Sequence, residues 1–238
     1  KLQGNTDVLH FLAEQIDNIV AHMAFHFEGS TAISLQKAPF GGLMSAATLS
    51  SQTLSTWWTQ VEEELAKKGA KEIIIHQPPH IYGDDHSDFY TSVGFEKYRD
   101  RLYHAIAVSP KKSWIEQAST MEKRKWKKCE KAGAKWVEVK GAERMNLVKK
   151  LLLWRSSDEK PASLRFADIE NALSELPKHY HVFGVKLNGE WVAATLAVLA
   201  SEKVLYHFLP ASHPDFKTYS PMVFLVEGLY RKAQEWQL

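Results

Sequence analysis

Tyr206 and His207 stand side by side in an apolar run, and Lys217, Tyr219 and Ser220 follow them closely. A phenol can release a proton, and an imidazole can take one near neutral pH. Ser220-Pro221 reads as a helix start, because serine is a favoured N-cap and proline suits the first helical position. The free N–H groups and the dipole at such a start favour a phosphate or a developing negative charge. Proton transfer beside an anion site is therefore the chemistry within reach of these residues. On a strand, neighbours point to opposite faces, so only one of Tyr206 and His207 can turn toward that site. Each also has a plain alternative role: a core tyrosine, a structural histidine, a serine that only caps.

The flanking pattern supplies a frame. Runs at 181–187 and 190–199 are split by Asn188-Gly189, a dipeptide suited to a two-residue type I′ hairpin turn. A third run at 204–209 follows, then a loop with Pro210, Ser212, Pro214 and Asp215. Val223, Phe224, Val226, Leu229, Tyr230 and Ala233 mark one face of a helix from Pro221 to about Trp236.

Upstream, the apolar spacing of Val8, Leu9, Leu12 and Ile16 predicts a helix over 6–18. Residues 20–27 and 31–36 read as a hairpin around Glu28-Gly29-Ser30. The Pro39-Phe40-Gly41-Gly42 segment allows a sharp turn or close approach to a ligand, and equally a simple bulge. A helix is expected at 50–68 on Leu54, Trp57, Trp58, Val61 and Leu65, then a strand at 71–76. The loop from Gln77 holds His80, Tyr82, Asp84, Asp85 and His86; with His76 they match no zinc spacing, so no metal is expected. A polar lining for a cleft between two halves is the preferred reading. A short helix at 89–93 and an alternating strand at 101–108 complete the first half. A helix starting at Ser109-Pro110, a basic helix ending at Ala132-Gly133, a strand at 135–139, and helices at 143–155 and 166–176 lead into the hairpin.

The 238 residues suit one large domain or two smaller ones, and 45% hydrophobic with 24% charged residues is ordinary for a globular protein. No apolar run approaches the roughly 20 residues of a membrane span. Cys129 is the single cysteine, so no internal disulfide forms; its lysine neighbours would lower its pKa, although a passive thiol is the commoner case. A net charge of +2 does not imply nucleic-acid binding by itself. Between Lys123 and Lys131, however, six Lys or Arg surround Trp126, either a solvated face or a surface for an anionic partner.

Three segments carry a resemblance: Pro-Phe-Gly-Gly at 39–42, the basic stretch at 123–133, and the hairpin, third strand and helix at 188–235. Together they resemble the FemAB-like branch of the GNAT (N-acyltransferase) superfamily. The resemblance implies a mixed α+β fold of two tandem GNAT-like domains, each a mostly antiparallel sheet flanked by helices. Domains of 1–109 and 110–238 follow, the second lacking its last strand in this chain. It implies attack of an amine on a thioester or ester, with no metal and no covalent enzyme intermediate. Tyr206 would then protonate the leaving group and His207 accept the amine proton. Lys217, Tyr219 and Ser220 would hold the donor, and Phe40, Gly41, Gly42 and Tyr82 would line the acceptor cleft.

In one place the chain departs from the superfamily's pattern. Acetyl-CoA-binding members carry a glycine-rich loop before this helix, whereas Pro214 to Ser220 holds no glycine. Acetyl-CoA or another acyl-CoA stays a candidate donor, beside an aminoacyl-tRNA met by the Lys123–Lys131 region. A small-molecule or peptide amine is the expected acceptor, and the cytoplasm the expected location. Two further readings stay open: a non-catalytic two-lobed ligand-binding protein, and a small-molecule N-acetyltransferase.

Overall fold

The computed structural model describes residues 7–35, 41–46, 49–157 and 164–238. These fall into two compact units, one within Gln3–His104 and one spanning Ala105–Leu238.

The first unit opens on β1 (Leu9–Gln15), not on a helix. Leu9, Phe11 and Ala13 alternate inward with a period of two, while Leu12 is exposed and Ile16, at 86% exposure, sits in the turn. Of the four apolar residues that fit a helical spacing, Leu9 packs on the core, beside Phe11 and Ala13, which that spacing leaves out. The Ile16-Asp17 turn, both at positive φ, returns the chain antiparallel into β2 (Asn18–Glu28). β3 (Thr31–Ser34) pairs with β2 as the sequence suggests, β4 (Met44–Ser45) adds to β2, and β5 (Glu72–Ile74) runs parallel to β3. Helix α1 (Ser51–Lys67) is capped by the Ser50 side chain and buries Leu54, Trp57, Trp58, Val61 and Leu65 against the sheet. A 3₁₀ turn at His80–Tyr82 and α2 (Ser87–Ser92) follow. The expected strand at 101–108 is absent: these residues pair with no strand, and Leu102 is 85% exposed. Alternation alone makes no strand without a neighbouring edge to accept its hydrogen bonds.

In the second unit, the helix expected from Ser109 shrinks to α3 (Trp114–Gln117). Ser113 and Glu116 form a reciprocal capping box, which sets the start four residues later than Ser109. Then come α4 (Thr120–Lys131), β6 (Lys135–Val139), α5 (Ala142–Ser157), α6 (Phe166–Glu175), β7 (Tyr180–Leu187), β8 (Glu190–Ser201), β9 (Val204–Ser212) and α7 (Pro221–Glu235). The four strands pair antiparallel in the order β6-β7-β8-β9, and Asn188-Gly189 turns with both φ positive. α5 and α6 cover one face through Leu147, Leu151, Ile169 and Leu173 against Val182, Leu196 and Leu209. α4 and α7 cover the other, where Phe224, Leu225 and Leu229 meet Phe183, Val185, Val192 and Ala197. Burial of such side chains contributes roughly 1.5–3 kcal/mol each.

Gly228, in the middle of α7, faces the Trp136 indole so closely that an added Cβ would overlap the ring. In an open helix, Gly→Ala stabilises by about 1 kcal/mol. Here we expect Gly228→Ala to destabilise by about 1–3 kcal/mol through overpacking. In a Trp136→Leu background the same change should turn neutral or stabilising, read from urea unfolding midpoints at constant m.

Candidate functional site

β9 ends in a 3₁₀ turn, Pro214–Tyr219, that delivers the chain to α7. His213 shapes this turn. Its ring lies edge-on between Trp154 at 5.6 Å and Phe216 at 5.2 Å, and its Nδ1 accepts the Asp215 N–H at 3.2 Å. From beneath, Arg155 donates to the Pro210 carbonyl at 2.9 Å. From α4, Lys128 Nζ donates to the Thr218 carbonyl at 2.6 Å and lies 5.7 Å from the centre of the Tyr219 ring. The turn is therefore held by three side chains that a reading of the sequence passes over, since each comes from a different element.

Ser220 occupies the N-cap position and Pro221 the first helical position, as expected. The mode of capping is not as expected. Ser220 is left-handed (φ 54°, ψ 49°) and its hydroxyl caps no first-turn N–H. A side chain in that conformation cannot reach forward as an extended N-cap does, so the amino end of a 15-residue helix is without its serine cap.

Pairing settles the faces of β9. His207 lies opposite Ala197, which packs in the cluster under α7, whereas the Tyr206 ring is 5.6 Å from Phe208, on the α5 face. His207 Nε2 is buried with no hydrogen-bond partner among the described residues. Burial alone pushes its pKa down to about 4. Lys217 lies within the 3₁₀ turn, and Tyr219 follows its Phe216 ring at 6.3 Å.

The other predicted site residues belong to the first unit. Phe40 lies outside the described residues, as does Pro39. The Gly41 N–H donates to the His76 carbonyl at 2.8 Å. Gly42 leaves no room for a Cβ beside Pro78, and the next N–H, of Leu43, donates to the buried Tyr90 hydroxyl at 2.8 Å. Tyr82 ends the short 3₁₀ turn. Asp85 accepts from the Ser87 N–H, the Ser87 hydroxyl and Gln77, which hold its pKa below the usual carboxylate range. Among the described residues no group of three or more His, Cys, Asp or Glu is arranged to hold a metal. Cys129 is buried and its pKa rises to about 11 by burial, so the lysines around it do not make a thiolate.

Residues 120–237 match the family model of the acetyltransferase (GNAT) domain. That stretch belongs to the GNAT family. Among solved structures, FemX superposes with a TM-score of 0.65 at 12% identity over 96% of this chain and 76% of its own. L-PGS from Bacillus licheniformis gives 0.64 at 14% identity over 98% and 66%. The C-terminal domain (DUF2156) of a protein described as a lysylphosphatidylglycerol synthetase from Agrobacterium fabrum gives 0.60 at 15% over 91% and 64%. At such identities the likeness is one of fold, and the chain spans about two thirds of the length of the last two. No curated protein matches it. The GNAT domain here is thus a four-stranded antiparallel sheet with helices on both faces. Among the described residues no helix is long and apolar enough to cross a membrane.

The buried imidazole of His207 links the site to stability. Its pKa is about 4 in the fold and about 6.5 unfolded, so the unfolded chain binds more protons between those values. Stability is unaffected by it above about pH 6.5 and falls as pH drops toward 4. His207→Leu should shrink the loss of unfolding free energy between pH 7 and pH 4.5 by about 2–3 kcal/mol, measured by urea titration at both values.

Proposed function

We propose that this chain moves an acyl or aminoacyl group from a thioester or ester donor to an amine. The observation that carries the reading is the helix start at Ser220, without its serine cap, at the end of β9 in a GNAT domain. Attack by an amine pushes charge onto the donor's carbonyl oxygen, and preorganised N–H groups at a helix start stabilise such charge with little reorganisation. Lys217, Tyr219 and Ser220 are our donor-side residues, with Lys128 positioning the turn. Gly41, Gly42 and Tyr82, with Phe40, are our acceptor-side residues, for a small-molecule or peptide amine.

An imidazole of pKa about 4 is a poor acceptor for an amine proton at neutral pH. We therefore assign His207 the part of a neutral hydrogen-bond acceptor, through its unpaired Nε2, and route the proton through water. Tyr206 lies on the opposite face of β9, so with His207 turned to the α7 side we assign protonation of the leaving group to water rather than to the phenol.

The donor we favour is an aminoacyl-tRNA. The glycine-free turn gives no backbone cradle for a pyrophosphate, and α4 carries Arg124, Lys127 and Lys131 exposed at helical spacing. Lys123 and Lys125, by contrast, are tied to the Glu116 carbonyl and to Glu122. Three exposed cations on one helix face supply the non-specific, salt-sensitive attraction that a nucleic acid needs. FemX and a protein described as a lysylphosphatidylglycerol synthetase share the fold; the choice of donor rests on the turn and on α4, and the cytoplasm is the location we propose with it. The second reading is a small-molecule N-acetyltransferase using acetyl-CoA, favoured by the acetyltransferase family to which residues 120–237 belong. The weak basicity of His207 favours the third, a binding protein without catalysis.

The deciding experiment offers the chain total tRNA charged with labelled amino acids, or labelled acetyl-CoA, together with amine acceptors. Label moving from tRNA supports the proposal, label moving from acetyl-CoA alone selects the second reading, and binding of either without transfer selects the third. With Arg124, Lys127 and Lys131 all changed to Gln, the slope of log K against log salt for tRNA should flatten by about 2–3. An unchanged slope would remove α4 from the tRNA contact.

A further inference from the structure

The sheet of the second unit has a concave feature at the end away from the Ser220 turn. Because the strands alternate in direction, β9 delivers the chain to α7 at the end where β6 begins. The hollow lies at the opposite end, where β6 finishes, β7 starts and α5 begins, with a volume of about 410 Å³. That lies within the roughly 300–1,000 Å³ of small-ligand sites.

Its walls are Val139, Pro177, Tyr180 and His181, and its charged groups are Glu138, Lys140 and Arg144. Glu138 is held by Lys232 at 3.0 Å, from the last turn of α7. That pairing offsets the one acid in the hollow. Lys140 is 3.7 Å from Glu138 and 78% exposed, free to swing across the opening. Arg144 has its Nε buried with no hydrogen-bond partner among the described residues. A buried charged donor left unsatisfied is destabilising, and a suitable acceptor would relieve that cost. His181 is fixed on the opposite wall, its Nε2 at 3.1 Å from the Lys178 carbonyl and its ring 4.7 Å from that of Trp236.

We propose that this hollow is a second binding site, for a small ligand that joins a phosphate monoester to a flat or apolar body. The Arg144 guanidinium presents a planar fork that fits phosphate oxygens two at a time, and Lys140 adds a mobile second charge. Tyr180, Pro177 and His181, the last backed by Trp236, provide aromatic and apolar surface for the body. The volume exceeds what phosphate alone fills, so the ligand is larger than the inorganic ion. The site is independent of the donor turn and does not rest on the reading given for it.

The test titrates the full chain with phenyl phosphate by calorimetry, with intrinsic tryptophan fluorescence as a second readout. Saturable binding is expected, tighter than for inorganic phosphate or benzoate. It should weaken about tenfold or more in Arg144→Gln, and less in Arg144→Lys and in Lys140→Gln. Urea unfolding of each variant separates a lost site from a lost fold. Absence of saturable binding, equal affinity in a folded Arg144→Gln, or benzoate binding as tightly as phenyl phosphate would each overturn the assignment.

Discussion

The close approach of Gly228 to Trp136 sets how α7 lies on the sheet, and most of the second unit follows from it. With no Cβ at that point the helix can settle onto the indole. Trp136 stacks in turn on Phe183 at 5.1 Å, and Phe183 on His181 at 6.0 Å. Arg231, one turn beyond Gly228, is 5.9 Å from the Trp136 ring and 2.8 Å from buried Glu227. Burial raises the Glu227 pKa and the Arg231 pair opposes that shift without cancelling it. A charged pair under a helix is weak evidence for stability, but it restricts where that helix can sit. Both ends of α7 are then placed: Ser220 after the turn, Lys232 on Glu138.

This packing explains how the Pro214–Tyr219 turn is held in place without a glycine loop. The turn borrows its order from three separate elements: α5 through Trp154 and Arg155, α4 through Lys128, and the chain after it through α7. Trp126 in α4 stacks on Phe224 in α7 at 6.0 Å, so the helix carrying Lys128 is itself locked to the helix it serves. The exposed cations Arg124, Lys127 and Lys131 of α4 are on residues that this packing does not use.

Much of the second unit was legible in the sequence, for physical reasons that can be named. Asn188-Gly189 announces a type I′ turn because few other residues accept two positive φ values, and Pro221 fixes a helix start. The first unit was less legible. Leu9 and Leu12 serve both a helical and a strand reading, and which of them is buried depends on a sheet partner ten or more residues away. At 101–108 the alternation was real and the partner missing. The site shows the same division. The position of Ser220 could be read but its left-handed backbone could not, since serine rarely adopts it and the turn before it imposes it. The face of His207 was open until pairing with Ala197 decided it, and its loss of basicity is a matter of burial that no local pattern carries.

A site of this kind draws its chemistry from where the backbone points more than from which side chains are present. The described residues hold no cluster suited to a metal, Cys129 is buried and protonated, and burial holds His207 neutral. Aminolysis of an activated ester tolerates this, because the nucleophile is good, the leaving group is good, and the main demand is for alignment and an oxyanion contact. Selection would then act on the placement of α7 rather than on a single acid or base. The residues most sensitive to change should therefore be packing residues such as Gly228, Trp136 and His213. A motif search built on reactive side chains passes over all three.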